Sequence, residues 1–180
     1  TFSDPINMKK IWSLRKQSLL FTYKVRKGNK RPQSFVEDVV VTPNKLATFI
    51  TKLYKIYKKH KVEAMVYGHA GDGHLHSRPL LDLTDPVDNK KMITLADEIF
   101  KLTTKLGGSI TGEHGDGLSR SEYIKAVYGN EVYDLFREVK NIFDPLNILN
   151  PGKKITDEQG VINTNLRLGL DYKRRNIQPH

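Results

Sequence analysis

Four of the six histidines and eight of the thirteen glycines of this 180-residue chain fall in two short windows, residues 68–76 and 107–117. The first runs Gly68-His69-Ala70-Gly71-Asp72-Gly73-His74-Leu75-His76. The second runs Gly107-Gly108-Ser109-Ile110-Thr111-Gly112-Glu113-His114-Gly115-Asp116-Gly117. Neither is a packing sequence, because each is mostly glycine and polar side chains. Glycine allows positive φ and close approach of backbone to a ligand. Histidine and carboxylate supply what a metal ion or a proton transfer requires.

If His69 ends one strand and His76 begins the return strand, their imidazoles can converge on one ion. Glu113 can then add a carboxylate, giving a two-histidine, one-carboxylate set with positions left open for water or substrate. Such a set suits Zn²⁺, Mn²⁺ or Fe²⁺, and the residues do not choose among them. A single histidine in a strand is more often a packed or surface residue than a ligand. The two flanking histidines, together with the separate Gly-Glu-His-Gly turn, are what argue for a site. Asp72 and Asp116 each follow a glycine and commonly do no more than hydrogen-bond their own turn. Alternatively, Asp72 orients a histidine ring from behind.

Periodicity predicts the elements that must position these residues. Residues 4–22 read as a helix capped by Asp4 with Pro5 in its first turn, Ile11, Leu14, Ser18 and Leu19 lying near one face. Residues 35–41 are a β-branched run, hence a strand. Thr42-Pro43 open the clearest helix, in which Leu46, Phe49, Ile50, Leu53, Ile56 and Tyr57 recur at three-to-four spacing. Residues 62–67 and 75–81 read as strands around the first glycine turn. Asp85-Pro86 start a long helix stopped at Gly107-Gly108. Residues 109–111 make a short strand, helices follow around 119–128 and 131–143, and the last 28 residues read as a polar tail. The turn between the two central strands is too short for a parallel crossover. The expected fold class is therefore α+β, an antiparallel sheet covered by helices on one face, with a helical C-terminal segment.

Composition narrows the function classes. With no cysteine there is no disulfide framework, thiolate metal site or cysteine nucleophile within the chain. No run of eighteen apolar residues is present to span a membrane, and the opening TFSDPINMKKIW lacks a leader pattern. A cytoplasmic protein, with room for peripheral membrane association, is expected. The formal net charge of +10 raises the question of nucleic acid. The lysines and arginines are scattered, however, and no finger, RNP or phosphate-loop motif accompanies them, so an anionic substrate or acidic partner is the better expectation.

Three ordered motifs carry a resemblance. They are Gly68-His69-Ala70-Gly71-Asp72-Gly73-x-Leu75-His76, residues 107–115, and Phe143-Asp144-Pro145-x-Asn147-Ile148-Leu149-Asn150-Pro151-Gly152-Lys153. Together they resemble the C-terminal domain of FAD-linked oxidases, the vanillyl-alcohol-oxidase-type flavoproteins that include D-lactate, glycolate and D-2-hydroxyglutarate dehydrogenases. The match runs from about Ile11 to about Ile155. His76-Ser77-Arg78-Pro79 and residues 115–121 are similar to long fusion proteins with iron–sulphur domains downstream, and residues 165–172 look like the link into that extension.

The resemblance implies oxidation of a D-2-hydroxy acid to the 2-oxo acid, with FAD held mostly by a separate upstream domain and electrons passed to an acceptor domain or protein. Residues 1–150 would be the substrate- and metal-binding cap domain. Residues 151–180 would be a flavin-proximal turn and a tail leading downstream, where an iron–sulphur cluster would be carried. By the same resemblance His69, His76 and Glu113 match metal ligands, and His114 matches the candidate base. Arg15 matches the arginine that grips the substrate carboxylate, with Arg78 a second anion contact. Asn150 lies in the segment that returns to the flavin. His74 stands where many relatives carry asparagine. The rival readings are a flavin-independent metal hydrolase or oxygenase using the same ligands and a non-enzymatic basic binding module.

Overall fold

The computed structural model describes residues 3–167 and 169–170, without the side chains of Ser18, Leu19 and Tyr23. The expected contributions of those side chains to a helix face, and of residues 168 and 171–172 to a link, lie outside the described residues. In chain order the elements are α1 (Pro5–Lys24), β1 (Arg31–Pro32), β2 (Val39–Val40), α2 (Leu46–Lys59), β3 (Ala64–His69), β4 (His74–Leu81), α3 (Pro86–Lys105), α4 (Ile124–Phe143) and α5 (Val161–Thr164). Every strand pairing is antiparallel. The α+β expectation holds.

The sheet is organised on β4. Along one edge β3 pairs with it from Ala64↔Pro79 to His69↔His74. Along the other edge β2 pairs with its beginning (Val39↔Leu75, Val40↔His74) and β1 with its end (Arg31↔Leu81, Pro32↔Leu80). The apolar run at 35–41 therefore yields only a two-residue strand. Its first half leaves the ladder because Glu37 and Asp38 turn inward to polar partners described below.

Side chains alternate across a strand, and β4 uses the two faces differently. Leu75, Ser77 and Leu81 point to a core built with Phe49, Leu53 and Tyr57 of α2 and Met92, Leu95, Ile99 and Phe100 of α3. The buried Tyr57 hydroxyl and the Ser77 hydroxyl meet at 2.5 Å, so the one polar group on this face is satisfied. His74, His76 and Arg78 point the other way.

Caps follow the sequence at two helices. The Asp4 carboxylate accepts from Asn7 N (2.9 Å) and the Asp85 carboxylate from Val87 N (2.8 Å). Thr42 behaves differently. Its hydroxyl donates to Asn44 Oδ1 (2.6 Å), and a short 3₁₀ turn over Pro43–Lys45 leads into α2. The two helices expected at 119–143 form a 3₁₀ turn and then α4, broken at Gly129, whose φ of +81° no helix accommodates. Ile11, Trp12 and Leu14 of α1 are exposed, since its apolar residues are spread around the helix rather than gathered in one stripe.

The C-terminal stretch differs from a polar tail. Val161 and Ile162 are buried, and the Glu122 carboxylate accepts from Gly160 N (2.7 Å) and Ile162 N (2.9 Å). Two apolar residues in a polar stretch leave no periodic signal, yet they are enough to seat α5 on the core. Among the described residues no helix is long and apolar enough to cross a membrane.

Candidate active site

The hairpin gathers three of the histidines by strand geometry alone. His69 sits directly opposite His74, and Tyr67 opposite His76, so all four side chains share the face of the sheet that α2 and α3 leave open. The connecting turn is a 3₁₀ turn, Ala70–Asp72, closed by Gly73 at φ +68°. A Cβ at Gly73 would lie 1.8 Å from the Val41 carbonyl oxygen, which explains the glycine sterically as well as conformationally. Ring centroids are 5.4 Å apart for His69 and His76 and 4.6 Å for His74 and His76.

The second glycine window arrives through β2. Val40 and Ser109 exchange backbone hydrogen bonds, both 2.9 Å, on the side of β2 away from β4. The strand expected at 109–111 is thus a single bridge. It is sufficient to deliver Glu113 and His114 to the hairpin. Glu113 Oε1 lies 3.2 Å from His76 Nε2 and 3.7 Å from His69 Nε2, and 3.5 Å from His114 Nε2. The rings of His76 and His114 stack at 5.4 Å, 13° from parallel.

The tautomer of His76 follows from its partner. Nδ1 lies 2.8 Å from the Glu37 carbonyl oxygen, which can only accept, so Nδ1 carries the proton. Burial pushes the His76 imidazolium down, against the opposing pull of that carbonyl. Its Nε2 faces a Glu113 carboxylate oxygen 3.2 Å away. Ligands about 2.1 Å from a tetrahedral ion sit roughly 3.4 Å from one another, and the Nε2 and Oε1 separations of 3.2 and 3.7 Å bracket that value. One donor atom from each of His69, His74, His76 and Glu113 falls within 4.8 Å of every other. The residues present fit a divalent metal.

The remaining expected residues are placed as follows. His114 Nδ1 lies 3.4 Å from Glu37 Oε1. Arg78 is buried, and its Nη2 meets Glu37 Oε2 at 2.5 Å, so its guanidinium is engaged in an ion pair. Arg15 reaches from α1 over the ring of Tyr67 (5.9 Å from Cζ to centroid), and Tyr67 in turn leans on His76 (5.1 Å). Asn150 lies on an exposed loop with φ +49°, its Oδ1 accepting from Lys153 Nζ (3.0 Å). Among the described residues no contact joins it to the histidines. His74 points inward, and its Nε2 meets Asp38 Oδ1 at 2.9 Å. Asp116 does not close its own turn; it is buried and takes Lys154 Nζ at 2.9 Å.

Sequence reasoning passed over Glu37 and Asp38. Both are buried, and both face the site. The signal was present: two carboxylates inside the otherwise apolar run Phe35-Val36-Glu37-Asp38-Val39-Val40-Val41 interrupt a strand pattern at a point where burial demands partners. Burial pushes the Asp38 carboxyl up, but hydrogen bonds from Thr111, Glu113, His114 and Gly112 outweigh it and hold the group well below the usual carboxylate range.

Comparison with known proteins places this architecture. Residues 1–154 match the family model described as FAD linked oxidases, C-terminal domain. A D-2-hydroxyglutarate dehydrogenase of Pseudomonas putida is 40% identical over 147 residues, covering 82% of this chain and 14% of the relative. The glycolate oxidase subunit GlcD of Bacillus subtilis is 35% identical over 123 residues (68% of this chain, 26% of the relative). A D-lactate dehydrogenase of Archaeoglobus fulgidus is 33% identical over 131 residues (73% and 29%). The chain thus spans only a seventh to under a third of the curated relatives it matches. With a family match over six-sevenths of its length, the chain belongs to the family of FAD linked oxidases, C-terminal domain.

Proposed function

We propose that this chain is the substrate- and metal-binding part of an FAD-dependent dehydrogenase that oxidises a D-2-hydroxy acid, of the lactate, glycolate or 2-hydroxyglutarate type, to the 2-oxo acid. The observation that carries the metal reading is the convergence of His69 Nε2 and His76 Nε2 on one Glu113 oxygen, at 3.7 and 3.2 Å. His69, His76 and Glu113 would hold the ion. A divalent metal supplies Lewis acidity that lowers the pKa of an alcohol it polarises. FAD, held mainly outside this chain, supplies the two-electron acceptor.

The chain's own residues do the binding and the proton chemistry. Arg15, which lies over Tyr67 beside the histidines, would grip the substrate carboxylate through paired charge-assisted hydrogen bonds. Arg78 is the second anion contact and would share its guanidinium with Glu37. His114 accepts the hydroxyl proton, an effect worth roughly 10²–10⁴ in rate. Glu37 Oε1, 3.4 Å from His114 Nδ1, stabilises the imidazolium that results. Asn150 and the exposed apolar residues Leu146, Ile148 and Leu149 around it offer a face toward the flavin domain. The names of the relatives support the substrate class. The small share of the D-2-hydroxyglutarate dehydrogenases that is matched fits a long protein whose electrons pass to a further acceptor, such as an iron–sulphur domain.

The test is His114→Ala in the full-length protein. Turnover of D-lactate or D-2-hydroxyglutarate should fall at least tenfold with metal and flavin content unchanged. Near-normal kcat would remove the base assignment.

A further inference from the structure

Asp38 is fully buried, and its two oxygens receive five hydrogen bonds. Oδ2 accepts from the Thr111 hydroxyl (2.6 Å) and from the backbone N–H groups of Gly112 (2.9 Å) and His114 (3.0 Å). Oδ1 accepts from Glu113 N (3.1 Å) and from His74 Nε2 (2.9 Å). Three consecutive backbone N–H groups converging on one anion form a nest. Here the anion is internal, and it is covalently tied to β2 through the adjacent Val39.

We infer that Asp38 is a positioning residue that clamps the turn 111–114, so that Glu113 faces His69 and His76 while His114 faces the substrate. One Asp38 oxygen lies within 4.8 Å of donor atoms of His76, Glu113 and His114, but both oxygens are taken up by hydrogen bonds to the turn and to His74. It acts through the backbone of the two residues that matter on that turn, and through His74, which it holds by Nε2. The turn needs the clamp because Gly112 within it and Gly107, Gly108, Gly115 and Gly117 on either side provide no side chains to fix its path. Gly112 is required for the approach. A Cβ there would lie 2.9 Å from His74 Nε2 and 2.6 Å from Val40 Cγ2. His74 completes the arrangement as a donor to Asp38, a role that asparagine also fills with one N–H.

The inference rests on the metal reading above for its functional consequence, but its structural content is separable. Hydrogen–deuterium exchange is measured on the metal-free, full-length protein, wild type beside Asp38→Asn. Zn²⁺ affinity and the kcat and KM for D-lactate and D-2-hydroxyglutarate are measured in parallel. Asp38→Asn should speed exchange of the Gly112–His114 amides at least tenfold while α2 and α3 keep wild-type protection. Zn²⁺ affinity should fall at least tenfold, and kcat should fall with KM within twofold.

Unchanged exchange over residues 109–117 overturns the clamp, and so does faster exchange throughout α2 and α3, which marks a merely structural residue. If Asp38→Asn does not fold, Thr111→Val removes a single donor and should speed exchange locally by about threefold; no change there overturns the inference equally. Wild-type protein that binds no Zn²⁺ would instead sink the metal reading, leaving the exchange result to decide the clamp.

Discussion

Nε2 of His76 and Oε1 of Glu113 stand 3.2 Å apart although the two residues belong to different glycine turns, tied together by the Val40–Ser109 bridge and by Asp38. Their spacing is one that two ligands of a single ion can take. The first prediction follows. The full-length protein, stripped and reloaded with Zn²⁺ or Mn²⁺, should hold about one ion at this site, and His69→Ala/His76→Ala should lose it. Retention of the ion by the double variant, measured by mass spectrometry, would show that the metal lies elsewhere.

The ion pair of Arg78 and Glu37 gives a second. Removing one member of a buried pair strands the other, at about 3–5 kcal/mol. Arg78→Ala should therefore lower the urea midpoint substantially, and Arg78→Lys, which keeps the charge without the fork, should recover part of the loss. A raised KM with unchanged midpoint would mean that the guanidinium serves the substrate alone.

Acid stability provides a third, in which the signs can be worked through. His76 has a folded pKa below its unfolded value of about 6.5, so its contribution is present above that pH and is lost as pH falls toward the folded value. Asp38 likewise titrates below the ordinary value of about 3.9, so its contribution is complete above about pH 4 and is lost on further acidification. In metal-free protein, His76→Gln should flatten the stability profile below about pH 6.5, and Asp38→Asn should flatten it below about pH 4. Parallel profiles for wild type and variants, from urea midpoints at each pH, would contradict both assignments.

Gly73→Ala is the fourth. The positive φ and the Val41 carbonyl oxygen 1.8 Å from the new Cβ require the hairpin turn to move. Metal binding should be lost well before α2 and α3 unfold, read as loss of Zn²⁺ affinity with far-UV circular dichroism retained.

Much of this was legible in the residues themselves. The long helices, the β3–β4 hairpin and the grouping of His69, His76, Glu113 and His114 follow from period, caps and glycine windows. What escaped was non-local. Nothing in residues 35–41 announces that Glu37 and Asp38 abandon the strand to meet partners some forty and seventy-five residues away. Nor does the polar stretch after Pro151 announce that Val161 and Ile162 return to the core. Arg78 carried a motif-level signal, but its engagement by Glu37 depends on which face of β4 each residue takes. Pattern gives that face only once the register is known.

The division of β4 between two faces has an evolutionary corollary. Residues 75, 77 and 81 answer to the helices, and residues 74, 76 and 78 to the open face that carries the candidate site. Point substitutions on the open face can therefore alter the candidate site while the helical scaffold goes untouched. A single-residue insertion or deletion within the strand would exchange the two sets and disrupt both. Diversification on this hairpin is thus open to replacement and closed to changes in length.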